Sequence, residues 1–159
     1  MLASPPVRKL TIFVCVIAVV AIIVGVALIA AHTQKTSKHS HTTNCSRQWI
    51  GVEDKCFYFS EDTKNWTSSK MFCSAQGSEL AQIDTQKEMD FLKKHIGTSQ
   101  HWIGLSRKQG ESWKWTNGAT FNAWFEIDGN GLFASVNADG VYSSRGLVDI
   151  KWICSKPRF

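Results

Sequence analysis

The sequence predicts an α+β domain, two helices followed by short strands, carried on a single membrane-spanning helix. Three observations predict it. Leu10 to Ala31 carries no charged residue; two amphipathic helix signatures fall before Gly97; and after them come only short apolar segments, beginning with the aromatic-rich window from His101 to Gly118.

The uncharged run is 22 residues long, about 33 Å of helix at 1.5 Å per residue, enough for a hydrocarbon core of roughly 30 Å. A cleaved secretory signal has a shorter apolar region, and Ile29-Ala30-Ala31 fits a cleavage site poorly. The organisation read from this is a tail at 1–9, a transmembrane helix at 10–31, a stalk at 32–44 and a folded domain at 45–159. The tail has no tyrosine and the anchor no Lys, Arg, Asp or Glu. Phosphotyrosine signalling and pairing with a charged intramembrane adaptor are therefore not expected. Cys15 reads as a small apolar residue or as a palmitoylation site. Basic residues flank the anchor on both sides, Arg8 and Lys9 against Lys35 and Lys38, and so barely orient it. Chemistry does: four cysteines and two sequons, Asn44-Cys45-Ser46 and Asn65-Trp66-Thr67, lie C-terminal to the anchor. That side is read as an oxidising lumen, which makes a type II protein of the plasma membrane with Asn44 and Asn65 as glycosylation sites.

Within the domain, Thr67 to Gln76 predicts a first helix stopped by Gly77, with Phe72 and Cys73 inward. Thr85-Gln86-Lys87-Glu88 has capping-box form, and Met89, Leu92 and Ile96 give the apolar stripe of a second helix ending at Gly97. Strands are expected at Phe57 to Ser60, Phe133 to Val136, Gly140 to Tyr142 and Ile150 to Cys154. In the Trp-rich window, Trp102 and Leu105 stand an odd number of positions apart, so a regular strand there is buried on both faces. Trp113 and Trp115 alternate with polar neighbours, and Asn117-Gly118 follows as a turn.

Trp102-Ile103-Gly104-Leu105, Trp113-Lys114-Trp115 with Asn117-Gly118, and Trp152-Ile153-Cys154 together resemble the C-type lectin-like domain of the natural-killer-gene-complex branch. Within that branch the chain is similar to the small lectin-related ligand subfamily that includes keratinocyte-associated C-type lectin. Lys55 to Ser60, Asn65 to Thr67, Leu80 to Asp84 and Lys151 to Lys156 carry the likeness too, over about residues 45 to 156. It implies an antiparallel arrangement of the strands. Four lumenal cysteines allow three connectivities; the resemblance implies Cys45 with Cys56 and Cys73 with Cys154. It also places Phe133 and Gly146 where the family's usual second conserved bridge would stand, so the segment between them, with Asn137-Ala138-Asp139-Gly140, is expected to be the least constrained part of the domain.

Calcium-dependent sugar binding in the family needs a Glu-Pro-Asn or Gln-Pro-Asp tripeptide and a Trp-Asn-Asp tripeptide, since a hard cation takes six to eight oxygens. The prolines are Pro5, Pro6 and Pro157, and Val141-Tyr142-Ser143 stands at the second position. No metal, no cofactor and no enzymatic activity are expected: with the cysteines in bridges no thiol remains, and His95 and His101 have no triad partners. Nucleic acid is not an expected partner either. Although the chain carries +5, all 13 acidic residues and 14 of the 18 basic ones lie from Cys45 onward, leaving the domain near neutral. What the resemblance implies is a cell-surface ligand for a lectin-like receptor on natural killer or other lymphoid cells, met through calcium-independent protein contact, with a noncovalent homodimer plausible. Candidate contacts carried over by position are Asn117, Ser135, Asp139, Arg145 and Lys151; loop position adds Arg107, Lys108 and Glu126. The alternative is a calcium-independent binder of sulfated glycans or other polyanions through Lys and Arg.

Overall fold

The computed structural model describes residues 5–36 and 45–158, which form two separate units, the N-terminal helix and the folded domain. Helix α1 spans Pro5–Thr36. Its stretch Arg8–Leu28 is long and apolar enough to cross a membrane, as a candidate anchor should be. The helix is longer than the apolar run. It takes in part of the expected tail, where Pro5 suits a first turn, and His32 to Thr36 of the expected stalk, where no Gly or Pro stops it. The rest of the stalk, with Asn44, lies outside the described residues.

The domain is α+β. Its strands are β1 (Ile50–Val52), β2 (Lys55–Phe59), β3 (Glu79–Leu80), β4 (His101–Ser106), β5 (Lys114–Trp115), β6 (Phe133–Val136), β7 (Val141–Ser144) and β8 (Lys151–Pro157); α2 (Trp66–Ala75) and α3 (Gln86–Ile96) lie between them. The sheet runs β1-β2-β8-β4-β6-β7, with β3 beside β8 and β5 beside β4. All pairings are antiparallel except β4 with β8, where His101 and Trp102 face Lys151 and Trp152. The short β1 and β3, which the apolar pattern does not mark, are held by their partners rather than by propensity.

The odd spacing of Trp102 and Leu105 works as expected. Trp102, Trp152 and Cys154 face one core with Trp66, Cys73 and Leu80, while Ile103, Leu105 and Ile153 face another with Met89, Leu92 and Ile96. Strands β4 and β8 are thus buried on both sides, with residues of α2 in the first core and of α3 in the second. Disulfides join Cys45 to Cys56 and Cys73 to Cys154. The second spans 81 residues of sequence and in the loop-entropy model contributes about 4–5 kcal/mol. Helix α3 starts at the Thr85 cap, whose hydroxyl accepts from Glu88 N–H. Glu88 reaches back to Asp84 N–H at 2.7 Å and takes the Lys55 ammonium at 3.1 Å. Helix α2 begins one residue earlier than expected, because Asn65 caps it by accepting from Ser68 N–H.

The expectation of a loose segment between Phe133 and Gly146 is corrected. Residues Phe133–Val136 and Val141–Ser144 form a registered hairpin. Asn137 Oδ1 accepts from the N–H groups of Asp139 and Gly140, and Ala138 N–H donates to Gly97 O. In place of a bridge, the Phe133 ring sits 4.7 Å from the Trp66 ring and directly over Gly146, where a Cβ would come 2.5 Å from Phe133 Cδ2. The aromatic-on-glycine contact pins the two positions that a disulfide would otherwise join.

Candidate binding surface

Between β4 and β6 the chain makes one long excursion, residues 107 to 132, organised by aromatic contacts more than by strands. Phe121 N–H donates to Trp113 O and Trp115 N–H to Ala119 O, closing a small ladder around the Asn117-Gly118 turn. Behind it the rings interlock: Trp115 to Phe121 at 5.8 Å, Phe121 to Phe125 at 4.5 Å, and Trp124 to Phe125 at 4.7 Å. Edge-on and tilted pairs of this kind are worth about 0.5–1.5 kcal/mol each beyond their burial. They leave an open cleft of about 520 Å³ walled by Trp113, Phe121, Phe125 and Ile127, with the exposed carboxylates of Glu126 and Asp128 beside it. Neither carboxylate joins an ion pair among the described residues. At the rim, Ala123 holds φ at +57°, a left-handed conformation that costs an alanine about 1 kcal/mol or more.

The expected contacts are not brought to one face. Arg107 is half-buried: its guanidinium lies 4.5 Å from the Trp113 ring centre and its Nε donates to Gly131 O, so it braces the cleft wall. Lys108 and Glu126 are exposed on the same excursion, and Arg145 is exposed just after β7. Asp139, at the β6–β7 turn, and Lys151, paired with Glu61 at 3.1 Å, belong to the opposite end of β4, roughly 17 Å away along the strand. Asn117 donates to Gln82 Oε1 at 2.8 Å and lines a different cleft of about 660 Å³ with Lys55 and Asp84. Ser135 must be withdrawn as a contact. It is 6% exposed, paired with Trp102 and Tyr142 inside the sheet.

Two titratable groups have shifted pKa values. Burial pushes the His101 imidazole below its usual range, opposed by its Nδ1 contact with Ser99 O; Lys151 and His95 add to the depression and Glu61 counters it. Burial also resists ionisation of Asp84, but hydrogen bonds from Lys55 and Gln82 and the Lys55 charge outweigh it, leaving that carboxyl below its usual value.

The family's calcium site does not fit here. At the position of the Trp-Asn-Asp tripeptide, Val141 is buried in the core, and Ser143 Oγ donates to Asp128 O while accepting from Gly131 N–H. Those oxygens are committed to the loop itself. Among the described residues no three His, Cys, Asp or Glu side chains gather as a metal would require.

Two helices in the domain, a long loop excursion between β4 and β6, and a Cys73–Cys154 bridge tying helix to last strand define a C-type lectin-like binding module. The family model for the lectin C-type domain matches residues 62–155, and the chain belongs to that family, whose members are non-enzymatic binding proteins. It is 62% identical over 145 residues to C-type lectin domain family 2 member A of Homo sapiens, covering 91% of this chain and 81% of that protein. Identity to C-type lectin domain family 2 member D of Homo sapiens is 44% (92% and 74% covered), and to early activation antigen CD69 of the same species 37% (92% and 74% covered). Among solved structures, the mouse scavenger receptor C-type lectin carbohydrate-recognition domain superposes with a TM-score of 0.66 at 28% identity, over 72% of this chain and 98% of that one.

The aromatic cleft is what residue-by-residue carry-over missed. Its signal was in the sequence: Phe121, Trp124, Phe125 and Ile127 crowd seven residues that no strand or helix pattern claims.

Proposed function

We propose that the domain is a cell-surface ligand, displayed by a type II anchor in the plasma membrane and engaged by a lectin-like receptor on natural killer or other lymphoid cells. The supporting observation is the excursion between β4 and β6. An aromatic-walled cleft of mixed polarity occupies it, with two carboxylates that join no ion pair among the described residues, and Ser143 Oγ, at the position of the family's Trp-Asn-Asp tripeptide, is spent on the loop. Recognition is then calcium-independent protein contact, of about 800 Å² per partner if of ordinary size. Glu126 and Asp128 favour a basic residue on the receptor and set orientation and on-rate. The same carboxylates oppose a sulfated polyanion in that cleft. A noncovalent homodimer would raise avidity by presenting two heads together.

The test displays the full chain on transfected cells and mixes them with reporter cells that each carry one lectin-like lymphoid receptor. A response from a single reporter line, unchanged by chelator and reduced at least tenfold by Glu126→Lys with Asp128→Lys, is the expected result. Loss of the response in chelator would refute it, as would binding that needs no receptor and disappears with salt.

A further inference from the structure

We infer that Ala123 is the positioning residue of the aromatic cleft: its left-handed backbone turns the wall so that two rings and two carboxylates share one cleft. The inference rests on the function proposed above, since the cleft counts for recognition only if it is the surface recognised. Among the described residues, positive φ falls on glycine at six positions and on other residues at two, Glu53 and Ala123. Glu53 opens the two-residue turn between β1 and β2, where positive φ matches the twist of the strands. Ala123 has no such reason. It is exposed, lies in no strand, helix or hairpin turn, and holds φ at +57°, a conformation that disfavours an alanine by roughly tenfold in an equilibrium constant. A residue kept there against its preference is held by its surroundings.

Those surroundings are rings rather than hydrogen bonds. The segment is fixed at its two ends: Phe121 N–H donates to Trp113 O at 2.9 Å, and Asp128 N–H donates to Val141 O at 2.9 Å while Asp128 O accepts from Ser143 N–H at 2.7 Å. Between them, Asn122 to Ile127 make no hydrogen bond among the described residues. Phe121 and Phe125 nevertheless bring their rings to 4.5 Å, four positions apart and outside any helix, so the chain doubles back between them. Ala123, midway, supplies the reversal. Phe121, Ala123, Phe125, Glu126 and Asp128 then line the same cleft. Glycine or asparagine makes the same turn at little cost, whereas a β-branched residue is excluded from it. The choice of residue at 123 therefore decides whether the cleft exists, while the sheet behind it is left alone.

The test compares Ala123→Val with Ala123→Gly and Ala123→Asn, and with Asn122→Val as a β-branched neighbour at ordinary φ. In the full chain in detergent, with phenylalanine rings carbon-13 labelled, a ring-to-ring nuclear Overhauser effect reports the Phe121–Phe125 contact without any receptor. The same variants go into the reporter-cell assay. The expected result is that Ala123→Val loses the ring contact and about tenfold or more of the response while the domain stays folded, and that the other three variants keep both. A ring contact that persists in Ala123→Val overturns the inference and leaves the proposed function standing. So does its loss in Ala123→Gly or Ala123→Asn, which would mean that the methyl group and not the backbone holds the wall. An Ala123→Val chain that fails to fold also overturns it, since position 123 would then serve the whole domain. Loss of the ring contact with an unchanged response overturns the assignment of recognition to this cleft, and the inference with it. Wild-type chain that triggers no reporter line overturns the proposed function alone, because the ring contact still decides what Ala123 does.

Discussion

The Phe133–Gly146 contact can be dissected by a double-mutant cycle. Truncating a buried Phe to Ala costs about 3–5 kcal/mol; Phe133 is only half-buried, so Phe133→Ala should cost roughly 2–3. Gly146 sits at φ +75°, where an alanine loses about 1–2 kcal/mol to backbone strain, and its Cβ would meet the Phe133 ring at 2.5 Å, adding an overpacking cost of about 1–3. Gly146→Ala alone should therefore cost roughly 2–5 kcal/mol. With the ring gone only the backbone strain remains, so the double variant should be more stable than the sum of the singles requires by the overpacking cost, about 1–3 kcal/mol, a tenfold effect on the unfolding constant for each 1.4. All seven tryptophans lie between Trp49 and Trp152, so guanidinium unfolding of the full chain in detergent, followed by tryptophan emission, reads the domain alone. Strict additivity, or a Gly146→Ala variant within 0.5 kcal/mol of wild type (roughly the noise of such cycles), would show that the ring does not pin Gly146.

Lys55→Met should destabilise the domain by about 3 kcal/mol, because Glu88, 3% exposed, is left charged without its ammonium; Lys55→Met with Glu88→Gln should recover part of that in the same unfolding assay. Acid should weaken the fold in two windows. His101 has a lowered folded pKa, so the unfolded chain binds the extra proton and stability falls as pH drops below the ordinary histidine value of about 6.5; His101→Gln should flatten that part of a thermal-melting profile against pH. Asp84, also lowered, contributes stability that is present above about pH 4 and lost below it. Gly104→Ala should cost about 1–3 kcal/mol, since the new Cβ would meet Leu80 O at 2.5 Å between packed strands, and its effect should show as a lower melting temperature with unchanged disulfides.

The parts of the fold that could be read in advance are those where one residue's environment follows from its neighbours. Parity along His101–Ser106 told which face each side chain takes, and the cap at Thr85 with Met89, Leu92 and Ile96 told where α3 lies. The two-residue strand Glu79–Leu80 was not legible, because its hydrogen bonds come from β8, more than seventy positions away. The binding surface was harder for the same reason. Whether Ser135 faces solvent depends on Tyr142 and Trp102 closing over it from two strands, and whether Arg107 is free depends on the Trp113 ring arriving beneath it. The looseness expected around Asn137–Gly140 failed because a missing bridge is visible in a sequence and a ring seated on a glycine is not.

Strand β8 touches β2, β3 and β4, and Cys154 within it closes the bridge to α2. Phe59 therefore waits for Ile153, its partner 94 positions later, an interval of about 5–20 s at ordinary rates of translation. Until then the aromatic interior has no middle and Cys73 no correct mate, so the nascent chain is left to chaperones and disulfide isomerases. Lesions in this last segment should act on the yield of folded protein far more than their size suggests, and those in the 107–132 excursion far less.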